Sequence, residues 1–154
     1  MTEPLDATDR KILRVLQEDG SISTTDLAAK VGLSQAPCWR RVKRLEDDGV
    51  IRKRAALLDR EKVGLPVLIF TTVKLATHGA RALKEFEDAI RGFPEVIECY
   101  KLMGAADHLL KIAVPSVEAY EKFFREKLSQ LPAVREANSA IALAEIKCTT
   151  ALPI

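Results

Sequence analysis

The sequence contains few cysteines and histidines, the residues that build disulfide frameworks and metal sites. Its three cysteines stand at positions 38, 99 and 148, without a Cys-x-x-Cys pair, and its two histidines are His78 and His108. Disulfide scaffolds and structural zinc sites both need such residues in greater number or at closer spacing. We therefore expect no disulfide framework, no metal site and no cofactor.

Long hydrophobic runs are also lacking. The longest, residues 63–73 and 108–114, are shorter than the roughly 20 residues that span a bilayer. The first residues are acidic and hold no apolar leader core. We expect a cytoplasmic protein without membrane contact. With 154 residues, 47% of them hydrophobic, the chain is long enough to bury one large core or two small ones.

The positive charge is concentrated in one short stretch of the chain. Residues 34–54 hold seven basic and three acidic side chains, a net charge of +4, whereas residues 59–154 hold 13 of each and are neutral. Clustered positive charge in one short segment is the expected signature of a surface that binds a polyanion.

The first 50 residues predict three short helices. Asp6, Ser23 and Ser34 each precede an apolar stripe at helical spacing, and glycines follow at positions 20, 32 and 49. Residues 31–34, between the second and third helices, have the length of the turn in a helix-turn-helix unit. The side chains of residues 50–58 alternate in character enough for a strand or β-ribbon. Such a strand would be the wing of a winged helix-turn-helix domain.

Beyond residue 66 the pattern changes to strands and helices in the order βαββαβ. Strands are predicted over 67–75, 96–103, 108–114 and 134–144, with helices over 80–91 and after Ser116. This order is typical of a ferredoxin-like sandwich, in which both helices cover one face of an antiparallel sheet. We predict an α+β chain with a winged helix-turn-helix DNA-binding domain at 1–58, a linker at 59–66, and a ferredoxin-like domain for ligand sensing and oligomerisation at 67–154.

The third predicted helix is the candidate DNA reader. A helical wheel places Cys38, Val42 and Leu45 on the inward side and the basic residues outside. The residues expected to contact DNA are Gln35, Ala36, Trp39, Arg40 and Lys43 at the bases, and Ser34, Arg41, Arg44, Arg52, Lys53 and Arg54 at the phosphate backbone. The alternative is a merely solvated basic face, but its coincidence with the helix-turn-helix spacing favours DNA binding.

One face of the predicted sheet has no helices of its own to cover it. Phe70, Tyr100 and Leu110 are expected on that face. Because contiguous exposed apolar surface usually marks an interface, we predict a homodimer.

Several segments together resemble the Lrp/AsnC (feast/famine) regulators over nearly the whole chain. They are LD at 5–6, DRKIL at 9–13, LAAKVGLS at 27–34, APCWRRVKRLE at 36–46, GVI at 49–51, ALLD at 56–59, Gly104 with Asp107, LLK at 109–111, and LPAV at 131–134. The pair CW at 38–39 and the ending IKCTTALP at 146–153 are similar to a subgroup that includes a cysteine-responsive regulator of cysteine breakdown.

The resemblance implies a transcriptional regulator that binds double-stranded DNA and responds to a small effector, an amino acid or related metabolite. It implies homodimers that assemble further, frequently to octamers. The implied effector site is the turn Met103, Gly104, Ala105, Ala106, Asp107 and His108, with Ser139 added from a neighbouring subunit. Free turn amides suit a carboxylate, and Asp107 suits an ammonium group. Many relatives carry an acidic residue where this chain has Ala105, so one charged anchor is missing.

Two alternatives remain open on the sequence alone. Gly104 and Asp107 are also what a plain hairpin turn requires. The whole chain could be an oligomeric small-molecule-sensing module whose helix-turn-helix does not bind DNA. An enzyme is not expected, because the sequence offers no close nucleophile–base pair, phosphate-binding glycine loop or metal cluster.

Overall fold

The apolar stripes of the N-terminal region form three helices, α1 (Ala7–Glu18), α2 (Thr24–Val31) and α3 (Gln35–Asp47). The computed structural model describes residues 4–76 and 79–154, so His78 and residues 1–3 lie outside the described part. The caps are those predicted: Asp6 accepts a hydrogen bond from the Asp9 N–H, and Ser23 Oγ accepts one from the Asp26 N–H. The inward faces form one core, which includes Ile12, Leu27, Cys38, Val42 and Leu45.

Residues 50–58 do not form the predicted strand or β-ribbon within the single chain. The chain leaves α3 through a hydrogen bond from the Ile51 N–H to the Leu45 carbonyl (2.9 Å), and residues 52–59 are exposed without regular structure. A strand needs a neighbour for its backbone groups, and no described residue pairs with this segment. The correction concerns the wing strand alone, because the three helices are those expected of the helix-turn-helix.

The second part of the chain has the predicted βαββαβ order. It comprises β1 (Val67–Leu75), α4 (Ala80–Arg91), β2 (Val96–Lys101), β3 (His108–Val114), α5 (Val117–Glu126), a short 3-10 turn (Leu128–Gln130) and β4 (Val134–Ile141). The four strands form one sheet in the order β2-β3-β1-β4, and each neighbouring pair is antiparallel. This is the ferredoxin-like topology.

The two faces of this sheet differ in their covering. On the helix-covered face, Ile69 and Ile112 from the central strands pack against Phe86 of α4 and Phe123 of α5. The opposite face carries Phe70 and Tyr100, which are 37% and 53% exposed.

One residue of the predicted open face lies elsewhere. Leu110 is fully buried on the helix-covered face, because it pairs with Thr71 and Cys99 in the sheet register and directly paired residues point to the same side.

The chain divides into two compact units, one made of residues 1–57 with 147–154 and the other of residues 58–146. The predicted linker opens the second unit as a turn: Asp59 Oδ1 accepts hydrogen bonds from the N–H groups of Glu61 and Lys62. Gly64 has a φ of 82°, a left-handed conformation that favours glycine.

The last eight residues differ in placement from the sequence-based domain boundaries. The prediction assigned them to the second domain, whereas the structure groups them with the first unit. The Gln17 side chain of α1 accepts a hydrogen bond from the Leu152 N–H (2.6 Å) and donates one to the Leu152 carbonyl (3.1 Å). Ile154 packs against the helical core, and Arg14 Nε donates to its carbonyl oxygen.

Candidate DNA-binding surface and effector turn

The outer side of α3 presents a continuous exposed surface. Cys38, Val42 and Leu45 are buried, as the helical wheel predicted. The residues predicted to read bases are all exposed: Gln35, Ala36, Trp39, Arg40 and Lys43. Trp39 is 56% exposed, which is unusual for a large aromatic side chain and typical of one that contacts a partner.

The start of α3 leaves polar groups available to an anion. Gly32 takes the left-handed conformation (φ 74°) that ends α2 and turns the chain towards Ser34. Ser34 occupies the N-cap position, but its hydroxyl makes no capping hydrogen bond. Since the first N–H groups of a helix have no partner within the helix, the amides of the first turn and the Ser34 hydroxyl can together meet a phosphate.

Arg41 and Arg44 make ion pairs inside the unit, and their predicted contact with the phosphate backbone stays a prediction. Arg41 Nη1 lies 2.7 Å from Asp6 Oδ2 and 2.8 Å from Asp9 Oδ1. Arg44 Nη2 lies 2.5 Å from Asp9 Oδ2. The Asp9 side chain is only 1% exposed, so its charge must be balanced by close cations. The two guanidinium groups therefore hold α3 against α1.

The remaining residues predicted to contact phosphates differ in whether their side chains make hydrogen bonds within the chain. Arg52 and Lys53 are exposed after α3. Arg54 donates hydrogen bonds to the Gly20 carbonyl (3.1 Å) and to Glu46 Oε1 (3.2 Å). Arg54 therefore anchors the exposed segment as well as adding charge to it.

Lys43 makes an exposed ion pair with Asp47 at 2.8 Å, one helical turn further on, and this carboxylate raises the pKa of Lys43. An exposed pair of this kind contributes little stability. Breaking this pair when Lys43 contacts DNA therefore costs little free energy.

A shallow depression beside α3 adds a residue that the sequence did not indicate. Thr24, the first residue of α2, lines it together with Gln35, Ala36 and Trp39. Thr24 carries no charge and no motif marks it, so only the packing of α2 beside α3 reveals that its hydroxyl shares this surface.

The predicted effector turn projects from the sheet between β2 and β3. Met103, Gly104 and Ala105 are exposed, and Asp107 is half-buried. The Asp107 N–H donates to the Val73 carbonyl (2.9 Å), and its Oδ2 accepts a hydrogen bond from the Leu75 N–H (2.7 Å). Asp107 therefore ties the turn to the end of β1, whatever contact it makes with an effector.

His108 and Ser139 lie apart from the exposed part of this turn. His108 is 1% exposed, and its ring packs on Phe86 of α4 with centroids 4.8 Å apart. Ser139 pairs in register with Thr71, and its hydroxyl hydrogen-bonds to those of Thr71 (3.0 Å) and Tyr120. Within one chain the turn is held at Val73 and Leu75, and a contact between Ser139 and an effector stays a prediction.

The cysteines occupy different environments. Cys38 is buried, and burial raises the pKa of its thiol, which fits the predicted core role. Cys99 is exposed on the edge strand β2. Partial burial, with the Glu87 carboxylate, raises the pKa of Cys99. This thiol therefore stays protonated at neutral pH.

Two features are absent from the described residues. No helix in residues 4–76 and 79–154 has the length and apolarity to cross a membrane. Among the same residues, no three His, Cys, Asp or Glu side chains come together as a metal site would require.

Both parts of the chain match known sequence families. Residues 68–152 match a family described as the Lrp/AsnC ligand binding domain, and residues 5–52 match one described as winged helix-turn-helix DNA-binding. The chain is 37% identical over 150 residues to the DNA-binding transcriptional activator DecR of Escherichia coli (strain K12), covering 97% of this chain and 99% of DecR. It is 40% identical over 148 residues to the proline dehydrogenase transcriptional activator of Rhizobium radiobacter, covering 96% and 95% of the two chains.

Solved structures agree with these matches. An AsnC family transcriptional regulator from Agrobacterium tumefaciens superposes with a TM-score of 0.92 at 46% identity, covering 97% of both chains. A transcriptional regulator of Neisseria meningitidis, solved in complex with L-Met, superposes with a TM-score of 0.94 at 41% identity, again over 97% of both chains. With matches in both units and along nearly its full length, the chain belongs to the Lrp/AsnC family of DNA-binding transcriptional regulators.

Proposed function

We propose that the chain recognises specific duplex DNA through the exposed N-terminal half of α3 and changes its activity when a small effector, an amino acid, is bound. The observation that carries the DNA-binding part is the exposure of Trp39, Arg40 and Lys43 on one side of a helix whose other side is buried. A helix-turn-helix places this surface of its second helix in the major groove.

The side chains of this surface divide into two roles. Arg40 and Lys43 are long cationic side chains that suit guanine edges, and Gln35 suits adenine. Ser34, Arg52 and Lys53 are placed to contact phosphates, which positions the helix without reading sequence. Arg41 and Arg44 orient α3 through Asp9.

The effector site is the turn at residues 103–107, completed by Ser139 of a neighbouring subunit. Its backbone amides suit the carboxylate of an amino acid. Support comes from the Neisseria meningitidis regulator, which was solved with L-Met. Cysteine belongs among the candidate effectors, because the pair Cys38 and Trp39 and the C-terminal segment 146–153 are similar to those of a cysteine-responsive subgroup.

The assembly is a homodimer formed through the open face of the sheet, and dimers associate further to an octamer. Phe70 and Tyr100 remain exposed on that face in the single chain, and burying them favours association. The regulator has no catalytic activity, and it works in the cytoplasm, where it meets chromosomal DNA.

The test is retention on the chain's own promoter as a function of salt concentration. Arg40→Ala with Lys43→Ala should weaken binding to this promoter at every salt concentration, by about 1–3 kcal/mol for each lost base contact. Lys84→Ala is the matched control, because it removes an exposed cation from the other unit.

Equal retention of the double variant and the wild type would reject the α3 assignment. If the wild type ignores duplex DNA at low salt, the chain is instead an oligomeric sensing module that does not bind DNA. A thermal-shift screen with the twenty amino acids tests the effector, since a ligand that binds the folded state raises the melting temperature. The bulky variant Ala105→Arg should abolish the shift if the turn is the site.

A further inference from the structure

A cleft of about 430 Å³ lies between α4 and the edge strand β2. Glu87, Ile90 and Arg91 line it from α4, Cys99 and Lys101 line it from β2, and His108 lines it from β3. It opens on the helix-covered side of the edge strand, whereas the predicted effector turn projects from the end of that strand. Small-molecule sites typically have volumes of about 300–1,000 Å³ and combine apolar walls with a few polar groups.

His108 is the unexplained polar group in this cleft. Its side chain is almost fully buried, and neither ring nitrogen has a hydrogen-bond partner among residues 4–76 and 79–154. Burial lowers the pKa of His108, so at neutral pH the ring is uncharged and carries one N–H donor and one acceptor nitrogen. Buried polar atoms are nearly always hydrogen-bonded in folded proteins, and leaving them without a partner costs free energy. The ring is therefore equipped to bind a polar ligand.

The charges around the imidazole are of both signs. Lys101 is paired with His108 in the sheet register, so both side chains leave the sheet on the same side. Lys101 makes no ion pair with any residue in the described part of the chain. Glu87 lines the cleft from α4, where its charge acts on His108, and its Oε2 lies 3.4 Å from Arg91 Nη2.

We propose that this cleft is a second small-molecule site, which takes the zwitterion of an α-amino acid. The ligand carboxylate pairs with the Lys101 ammonium, the ligand ammonium pairs with Glu87, and the aliphatic part packs on Ile90. His108 completes the site with a hydrogen bond to the ligand. A pure anion would face Glu87 and a pure cation would face Lys101, so the zwitterion matches the charges best.

Binding at this cleft is non-covalent. Because the raised pKa keeps Cys99 as a thiol, that side chain contributes a small polarisable wall. The inference goes beyond the proposed function, since it requires neither the DNA surface nor the turn at residues 103–107.

The test follows the His108 ring by NMR in the full-length chain with isotope-labelled histidine. The chain has two histidines, so a His78→Gln background leaves one ring signal. Each of the twenty amino acids is titrated in turn, with acetate and methylammonium as singly charged controls. We expect at least one amino acid to shift the His108 signal saturably, and neither control ion to do so at the same concentration.

Variants decide whether the shift reports this cleft. Lys101→Met and Glu87→Gln keep the side-chain lengths and remove one charge each, and each should weaken the saturable shift roughly tenfold, as expected for a lost charged hydrogen bond. Ala105→Arg, which blocks the exposed turn, should leave the shift intact.

Three results would overturn the proposal: no amino acid moves the signal, the shift survives both charge variants, or Ala105→Arg abolishes it. The last result would assign the effect to the turn and leave the proposed effector site standing. DNA retention by the Lys101→Met variant without ligand should equal that of the parent chain, so a failure here is distinguishable from a failure of the regulator assignment.

Discussion

Asp9 Oδ1 accepts a hydrogen bond from Arg41 Nη1 at 2.8 Å, across 32 positions of sequence. The same carboxylate receives Arg44 through its other oxygen and caps the start of α1 by accepting the Asp6 N–H. A single buried carboxylate thus sets the position of α3 relative to α1. The orientation of the DNA-reading surface depends on an ionic contact that is itself hidden from DNA.

Asp9→Ala should destabilise the N-terminal unit by about 2 kcal/mol, because it removes the balancing charge of two partly buried arginines and half of a capping box. Chemical denaturation followed by Trp39 fluorescence measures this, since Trp39 is the single tryptophan of the chain. Asp47→Asn, which removes an exposed carboxylate from α3, should leave the midpoint close to that of the wild type. Similar midpoints for both variants would contradict the structural role of Asp9.

The neighbouring residues Arg40 and Arg41 should respond in opposite ways to alanine substitution. Arg40→Ala should reduce DNA affinity by about 1–3 kcal/mol with an unchanged unfolding midpoint, because Arg40 is exposed. Arg41→Ala should lower the midpoint, because Arg41 bridges Asp6 and Asp9. Promoter binding well below the melting temperature, together with thermal unfolding, separates the two effects. The same loss of affinity and the same midpoint in both variants would count against this division.

Removal of residues 152–154 should lower the melting temperature of the N-terminal unit. The truncation breaks the paired hydrogen bonds between Gln17 and Leu152 and uncovers the core beside Ile154. The loss of half-buried apolar surface predicts a cost of about 1 kcal/mol. Trp39 fluorescence during heating is the readout. Ile146→Ala is the control, since Ile146 is 93% exposed and should change nothing. An unchanged transition after truncation would show that the tail does not stabilise this unit.

His108→Phe should make the chain less sensitive to mild acid. Burial lowers the pKa of His108 from its ordinary 6.5, so below pH 6.5 the unfolded chain takes up a proton that the folded chain refuses. Stability is therefore complete above that pH and falls as the pH drops, until the folded state also protonates. Phenylalanine cannot titrate and keeps the ring contact with Phe86.

Melting temperatures between about pH 5 and pH 7 test this linkage. The variant should lose less stability than the wild type over that range. His78 is present in both proteins, so its titration cancels in the comparison. Parallel pH curves for the two proteins would mean that the buried ring does not drive the acid response.

Much of the fold was predictable because its signals are local. The capping positions Asp6, Ser23 and Ser34 and the stripe at Cys38, Val42 and Leu45 depend only on residues within one or two helical turns. The βαββαβ order followed from the change in periodicity, and it leads to the ferredoxin-like topology because few arrangements satisfy that order. The outer side of α3 followed in turn, since its inner side was already assigned.

The predictions were wrong where the structure of a segment depends on residues far away in the sequence. Residues 50–58 have the alternation of a strand, but no described strand lies beside them. Leu110 faces the helices because its register with Thr71 and Cys99 requires it. A one-residue change of register reverses the side to which a strand residue points, and a sequence read alone carries no register.

The amino-acid sequence by itself determined the helices and strands of this chain and the basic character of one short segment. Only the tertiary structure determined which arginines of that segment make ion pairs with Asp9. The tertiary structure likewise determined that the C-terminal tail packs on α1 and that the imidazole of His108 is buried against Phe86 of α4. The physical reason is that propensity and periodicity act over a few residues, whereas charge balance and burial depend on groups brought together from distant parts of the chain.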